Sequence, residues 1–257
     1  MTRQKSIVAE TTLQSWPVGG HDPELDHLLA THAPDGSTIN LTTALSDPLL
    51  GETALVSSFG AESVVLIHLV WKACRDIPVV FIDTGRHFPA TLAYVDHLKD
   101  ALNLNLHVVS ADAEHINRED PHKTLDRINP DQCCQLRKGL PLSDALQGYD
   151  SWISGRKRYH GGARSHLPLF ERDGDKIKLN PMARWDQTDV QAYFEAHDLP
   201  RHPLERFGFL SIGCEPCTRA VEEGEDVRAG RWAHTPEKIE CGIHISPEGK
   251  IIRLSQQ

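Results

Sequence analysis

The chain reads as an α/β protein built on a doubly wound, mostly parallel sheet. Three observations predict this. Short apolar, β-branched runs alternate along the chain with longer apolar stretches of helical character. Strands separated by helices imply crossovers and a parallel sheet rather than a string of hairpins. At 257 residues and 39% hydrophobic content, the chain can bury one substantial core.

Residues 1–45, with Pro17, Gly19-Gly20 and Pro34, are expected to be irregular and to form an arm or cap. Thr53-Ala-Leu-Val-Ser57 reads as a buried strand, Ser58 to Ser63 as the turn after it, and 64–70 as an apolar helix. Val79-Val-Phe-Ile82 is a second strand, ending at Asp83-Thr84-Gly85. A helix follows over 89–101, with Pro89 in the tolerated first turn. A third strand is expected over 104–109 and a later one over 151–154. This divides the chain into an arm (1–45), an α/β domain (46–220) and a polar, breaker-containing C-terminal segment (221–257) expected to be flexible. No internal repeat or low-complexity tract is present.

Five of the six cysteines fall into three sites: Cys133-Cys134, Cys214-Glu-Pro-Cys217 and Glu240-Cys241-Gly-Ile-His244. Four thiols make a complete metal or cluster shell, which leaves Cys241 free to do chemistry. Tetrahedral zinc usually takes two CxxC knuckles, whereas vicinal thiolates suit the separate irons of a 4Fe–4S cube. Spacing alone leaves both open. Cys74, in an apolar helical stretch, reads as a buried structural thiol.

The opening residues lead into no apolar signal core, and no run of about 18 apolar residues occurs, so neither secretion nor a membrane span is expected. A reducing cytoplasm is the expected location. A net charge of −9 argues against a general nucleic-acid binder. A local basic cluster, Arg156-Lys157-Arg158 with Arg164 and the glycines Gly155, Gly161 and Gly162, can still serve a small anion.

In a sheet of this kind ligands bind beyond the carboxyl ends of the strands. The Ser57–Ser63 loop, the Asp83-Thr84-Gly85 turn and the Gly155 loop all fall there. The first offers backbone N–H groups, serine hydroxyls and a helix N-terminus to a phosphate or sulfate. It lacks the Gly-Lys-Ser/Thr ending of a Walker A loop.

These segments carry a specific resemblance. Ser57-Ser-Phe-Gly-Ala-Glu-Ser63 resembles the pyrophosphate-type loop of the sulfonucleotide reductases. Phe81-Ile-Asp-Thr-Gly85, with Phe88 and Thr91, resembles their second nucleotide-side motif. Cys133-Cys134-Gln-Leu-Arg-Lys138, Ser211-Ile-Gly-Cys-Glu-Pro-Cys-Thr-Arg219 and Glu240-Cys-Gly-Ile-His244 are similar to the double-cysteine, CxxC and catalytic segments of the iron–sulfur branch. The match runs in order from about residue 50 to 246, and the chain is identified as a member of that family in its adenylylsulfate-reducing branch.

The resemblance implies the adenine-nucleotide alpha-hydrolase-like (PP-loop) fold and a mobile catalytic tail. It implies reduction of adenylyl sulfate to sulfite and AMP in sulfate assimilation. Cys133, Cys134, Cys214 and Cys217 would hold one 4Fe–4S cluster. Cys241 would be the nucleophile, with Lys138 and His244 as catalytic partners. Ser57, Ser58, Phe59, Gly60, Ala61, Glu62, Ser63, Asp83, Thr84, Gly85, Lys157, Arg158, Arg228 and Arg231 would contact substrate. Thioredoxin would be the reductant, and a homo-oligomer is left open. The arginine loop departs from the commoner pattern: Gly155-Arg-Lys-Arg-Tyr-His-Gly-Gly-Ala-Arg164 replaces a shorter double-arginine segment. Arg158 is the best match there and Lys157 the next. The alternatives are 3′-phosphoadenylyl sulfate as substrate, a PP-loop adenylating or thiolation enzyme, and a non-enzymatic zinc- or cluster-binding regulator.

Overall fold

The computed structural model describes residues 21–161, 164–235 and Lys238. Helices α1 (Pro23–His32) and α2 (Leu41–Ala44) precede β1 (Thr53–Ser57), α3 (Ser63–Ala73), β2 (Val79–Asp83), α4 (Pro89–Leu102) and β3 (Leu106–Ser110). The short helices α5 (Ala113–Glu119), α6 (Leu125–Ile128) and α7 (Pro130–Cys134) follow. A π turn over Gln135–Gly139 then leads into α8 (Leu140–Ala145). The chain continues with β4 (Ser151–Ile153), β5 (Phe170–Asp173), β6 (Lys176–Leu179) and α9 (Gln187–Ala196).

The six strands form one sheet in the order β3-β2-β1-β4-β6-β5, parallel throughout except for the β5–β6 hairpin. Alternation along the strands sends side chains to two faces. Leu55, Val79, Phe81 and Ile153 join the larger core with α3, α4 and α9. Ala54, Val80, Ile82 and Trp152 join Leu142 and Leu146 in a smaller core on the side of α8. The chain builds outward from β1 to β2 and β3, then restarts at β4 on the other side, so the topological switch lies between β1 and β4.

Three expectations need correction, and a fourth point is an element not anticipated. Residues 21–45 are not irregular: they carry α1 and α2, and Leu28, Ile39, Leu41 and Ala44 are core residues. Asp22 caps α1 and is clasped by Arg172 of β5 (Nε–Oδ2 2.7 Å), which ties this segment to the sheet edge. The third strand begins at Leu106, because Asn103 adopts a left-handed φ of +49° that ends α4. Cys74 is only half-buried, at the C-terminal cap of α3. The fourth is the β5–β6 hairpin, which the sequence reading missed although Asp173-Gly174 is a strong turn signal and Gly174 has a φ of +67°.

His202 fastens the segment after α9 to α4. The Leu204 N–H donates to its Nδ1 (3.2 Å), so the proton sits on Nε2, which donates to Thr91 Oγ1 (3.0 Å). Its ring also meets Tyr94 edge-on at 4.9 Å. Burial pushes its pKa from the usual 6.5 down to about 4. Between these values the unfolded chain binds a proton that the folded chain excludes, so stability falls as pH drops through that window, by an amount on the order of 2 kcal/mol. Denaturant unfolding of wild type and His202→Asn between pH 7 and 4 checks this, with a flatter profile expected for the variant. Equal slopes would remove His202 as the cause.

Candidate active site

A cleft of about 220 Å³ opens at the switch point, lined by the carboxyl-end loops of β1 and β4 together with residues 210–213, Arg228, Arg231 and Trp232. The loop after β1 is shaped by two backbone features. Phe59 takes a left-handed φ of +48° and turns its ring into the core, edge-on to Phe81 at 5.4 Å. Gly60 lets the loop approach the Ile212 carbonyl, which a Cβ would meet at 3.1 Å. Ser57, Ser58, Gly60, Ala61, Glu62 and Ser63 consequently line the cleft, while Phe59 anchors the loop from behind.

The carboxylate of Glu62 gathers the loop after β4. It accepts from Lys157 Nζ (2.8 Å) and from the Tyr159 hydroxyl, and it lies 3.5 Å from His160 Nε2. Burial alone would raise its pKa, but His160, Lys157 and Tyr159 together hold it well below the usual carboxylate range. Burial lowers the Lys157 pKa, with Glu62 opposing. Arg156, Lys157, His160 and Arg164 line the cleft. Arg158 does not: its Nε donates to the Leu167 carbonyl (2.7 Å).

The Asp83-Thr84-Gly85 turn is likewise outside the cleft lining. Asp83 accepts from the Gly85 N–H (2.8 Å), Thr84 Oγ1 lies 3.4 Å from Cys214 Sγ, and the Thr84 carbonyl accepts from Arg137 (3.1 Å). This turn braces the cysteines, and from the surrounding segment it is Ile82 and His87 that reach the cleft. His87 Nε2–H donates to the Ile82 carbonyl (3.0 Å). Sequence reasoning missed His87, His160, Trp152 and Trp232. Only their nearness to quoted motifs hinted at them.

Cys133 and Cys134 end α7, and Cys214 and Cys217 flank a 3₁₀ turn. All four line one small cavity beside the cleft. Lys138 and Trp232 line both spaces and form their common wall. The π turn sets Lys138 at this position. Burial, reinforced by the neighbouring thiols, pushes Cys133 up to about 12 and Cys217 up to about 11. At Cys214 burial is outweighed by Lys138, the Thr84 hydroxyl and Arg231, and the pKa falls below the usual thiol value. Among the described residues no three His, Cys, Asp or Glu side chains are placed to grip one metal ion. A soft, all-thiol donor set flanked by Lys138 and Arg137 suits an anionic iron–sulfur cluster. Cys241 and His244 lie outside the described residues.

Residues 52–220 match the phosphoadenosine phosphosulfate reductase domain. The chain belongs to this family. It is 46% identical over 196 residues to an adenosine 5'-phosphosulfate reductase of Chelativorans sp., covering 76% of this chain and 80% of the relative. It is 40% identical over 188 residues to one of Streptomyces coelicolor, covering 71% and 78%. Two solved structures share the fold. The phosphoadenylyl-sulfate reductase of Candida auris superposes with a TM-score of 0.63 at 24% identity, covering 79% of this chain and 98% of that one. The FMN adenylyltransferase of Candida glabrata gives 0.52 at 17%, covering 73% and 68%. The family match spans the four thiols, Lys138 and the loops after β1 and β4. The structure adds Arg228, Arg231 and Trp232, which lie beyond it.

Removing the negative charge of Glu62 leaves Lys157 as a buried, uncompensated cation. Glu62→Gln is expected to cost about 3 kcal/mol of folding stability, and Glu62→Gln with Lys157→Met to regain most of it. Thermal and denaturant unfolding of the three proteins measures this. No recovery in the double variant would contradict the pairing.

Proposed function

We propose that this protein reduces adenylyl sulfate to sulfite and AMP for sulfate assimilation. The observation that carries the reading is a cationic cleft at the β1/β4 switch point sharing a wall with four buried thiols, in a chain whose curated relatives bear the name adenosine 5'-phosphosulfate reductase. The loop at the N-terminus of α3 supplies serine hydroxyls and helix-end N–H groups to the phosphate. Arg228, Arg231 and Lys138 supply fixed positive charge where negative charge builds on the leaving phosphate and persists on the sulfonate.

The nucleophile in this reading is the Cys241 thiolate, with His244 lowering its pKa. Its sulfur attacks the sulfuryl sulfur, the S–O bond to the phosphate breaks, and AMP leaves with the bonding pair. The product is an S-sulfocysteine. A dithiol reductant of the thioredoxin type then attacks the Cys241 sulfur and expels sulfite. Its second thiol resolves the mixed disulfide, so the two electrons come from the partner and Cys241 is restored. A reducing compartment follows from that requirement.

Cys133, Cys134, Cys214 and Cys217 would hold one 4Fe–4S cluster. When bound it would supply fixed charge and rigidity behind Lys138, rather than electrons. Lys138→Ala should accordingly slow thiosulfonate formation at least about tenfold with the iron–sulfur absorbance retained. An unchanged rate would remove Lys138 from the mechanism.

The choice of adenylyl sulfate over its 3′-phosphorylated form is supported by the arginine loop. Arg156 is paired with Glu171, Lys157 with Glu62, and Arg158 with the Leu167 carbonyl, so these charges already serve the fold. Single-turnover mixing of anaerobically purified protein with either nucleotide, without reductant, tests the whole reading by intact mass. A gain of one SO3 with adenylyl sulfate, lost in Cys241→Ser, is expected. An adduct formed only with the 3′-phosphorylated nucleotide would reassign the substrate. Release of pyrophosphate from ATP with no adduct would support an adenylating enzyme instead.

A further inference from the structure

Trp232 stands in the wall between the cleft and the thiol cavity, and no motif quoted from the sequence includes it. Its indole is buried and packs with Cys214 and Cys217 as one apolar cluster. Its backbone N–H donates to the Cys217 carbonyl (2.9 Å). The residue holds a left-handed φ of +49°, a conformation that a bulky side chain keeps only where its surroundings over-determine it. The guanidinium of Arg231 lies 4.4 Å from its ring centroid and that of Arg228 6.0 Å. Both are within cation–π reach.

Arg231 has little else to hold it. Its Nη1 donates to the Ile212 carbonyl (3.2 Å), while its buried Nε has no hydrogen-bond partner among the described residues. Gly213 leaves room for it, since a Cβ there would stand 2.3 Å from Nη2. A planar cation with five donors, resting on a ring and making one carbonyl bond, is held ready for an anion that completes its shell.

We infer that Trp232 is a positioning residue: its indole holds Arg231 and Arg228 at the anion-binding end of the cleft and fixes them against the backbone of Cys214 and Cys217. This rests on the reading of the cleft as a sulfonucleotide site. It assigns the placement of Arg231 to an aromatic platform seated on the cysteine segment.

Calorimetric binding of adenylyl sulfate and of AMP to the anaerobic protein, with iron content and thermal midpoint measured alongside, tests it. Trp232→Leu keeps an apolar plug but loses the platform, and should weaken adenylyl sulfate binding about tenfold, whereas Trp232→Phe should weaken it about threefold or less. Arg231→Lys made in the Trp232→Leu background should cost less than it does in wild type, because the two act through one contact. A Trp232→Leu protein that retains iron and binds as wild type does would overturn the inference, as would additive losses in the cycle. Should Trp232→Leu fail to fold, Trp232→Phe combined with Arg231→Lys decides by the same criterion of additivity. Failure of the unmodified protein to bind adenylyl sulfate would instead overturn the reading of the cleft itself, whatever the variants do.

Discussion

Four buried thiols in one cavity repel one another as they ionise, and burial opposes each ionisation separately. At Cys133 and Cys217 burial and the neighbouring thiols both push the pKa up. The site therefore depends on positive charge brought into a poorly solvated place, and it comes from several parts of the chain. Lys138 arrives on the π turn that follows the vicinal cysteines, and Arg231 from beyond the CxxC segment, both acting on Cys214. Arg137 reaches the Thr84 carbonyl and pairs with Asp120 at 2.9 Å, so its own charge is balanced while it braces the turn that touches Cys214. Two of these cations, Lys138 and Arg231, also line the cleft. Compensating the thiols and attracting an anionic ligand are thus met by the same side chains.

This explains how a chain of net charge −9 can present a cationic cleft. The acidic excess lies largely elsewhere, and the carboxylates close to the cleft are engaged. Glu62 balances Lys157 and holds Tyr159 and His160, while Glu171 pairs with Arg156. Glu62 occupies the helix-start position where an anion is favoured, yet it makes no capping bond to α3 and spends its lone pairs on the opposite loop. The two walls of the cleft are cross-linked by that carboxylate, which keeps the switch point open at a defined width.

Much of this was legible in the sequence, for physical reasons that can be named. The strands of the sheet centre are short apolar runs that need both faces buried, so β1, β2 and β4 could be placed closely. The cysteine pairs stood out because vicinal and CxxC thiols have few structural uses in a reducing setting. The arginine loop lies at the cleft, but its best-matched member, Arg158, turns to the Leu167 carbonyl while Arg156, Lys157 and Arg164 line the cleft. Which of several adjacent cations faces a ligand is decided by partners distant in sequence, such as Glu62 and Glu171, and no local pattern encodes that. The Asp83-Thr84-Gly85 turn shows the same limit: its position after a strand marks it as a ligand turn, yet its contacts are with the cysteine wall. Trp232 carried no signal, because a lone tryptophan in a polar stretch acquires its meaning only when the chain folds back onto Cys217.

That fold-back has its own requirement. Thr218 and Arg231 pair as an isolated antiparallel bridge, and the Arg219 N–H donates to the Gly230 carbonyl (2.9 Å). A Cβ on Gly230 would stand 2.2 Å from the Arg219 carbonyl oxygen, and one on Gly213 would stand 2.3 Å from Arg231. The first clash is with backbone, which cannot give way as a side chain can. Two glycines on opposite sides of the CxxC segment therefore let the chain lie flat against it from both directions, one for a peptide and one for a guanidinium. The resulting wall is thin enough that a single indole can touch Cys214 and Cys217 with one part and carry Arg231 with another. Thickening it by one methyl at either glycine would separate the thiols from the cations that compensate them. The close apposition of cavity and cleft is thus a property of backbone clearance before it is one of charge.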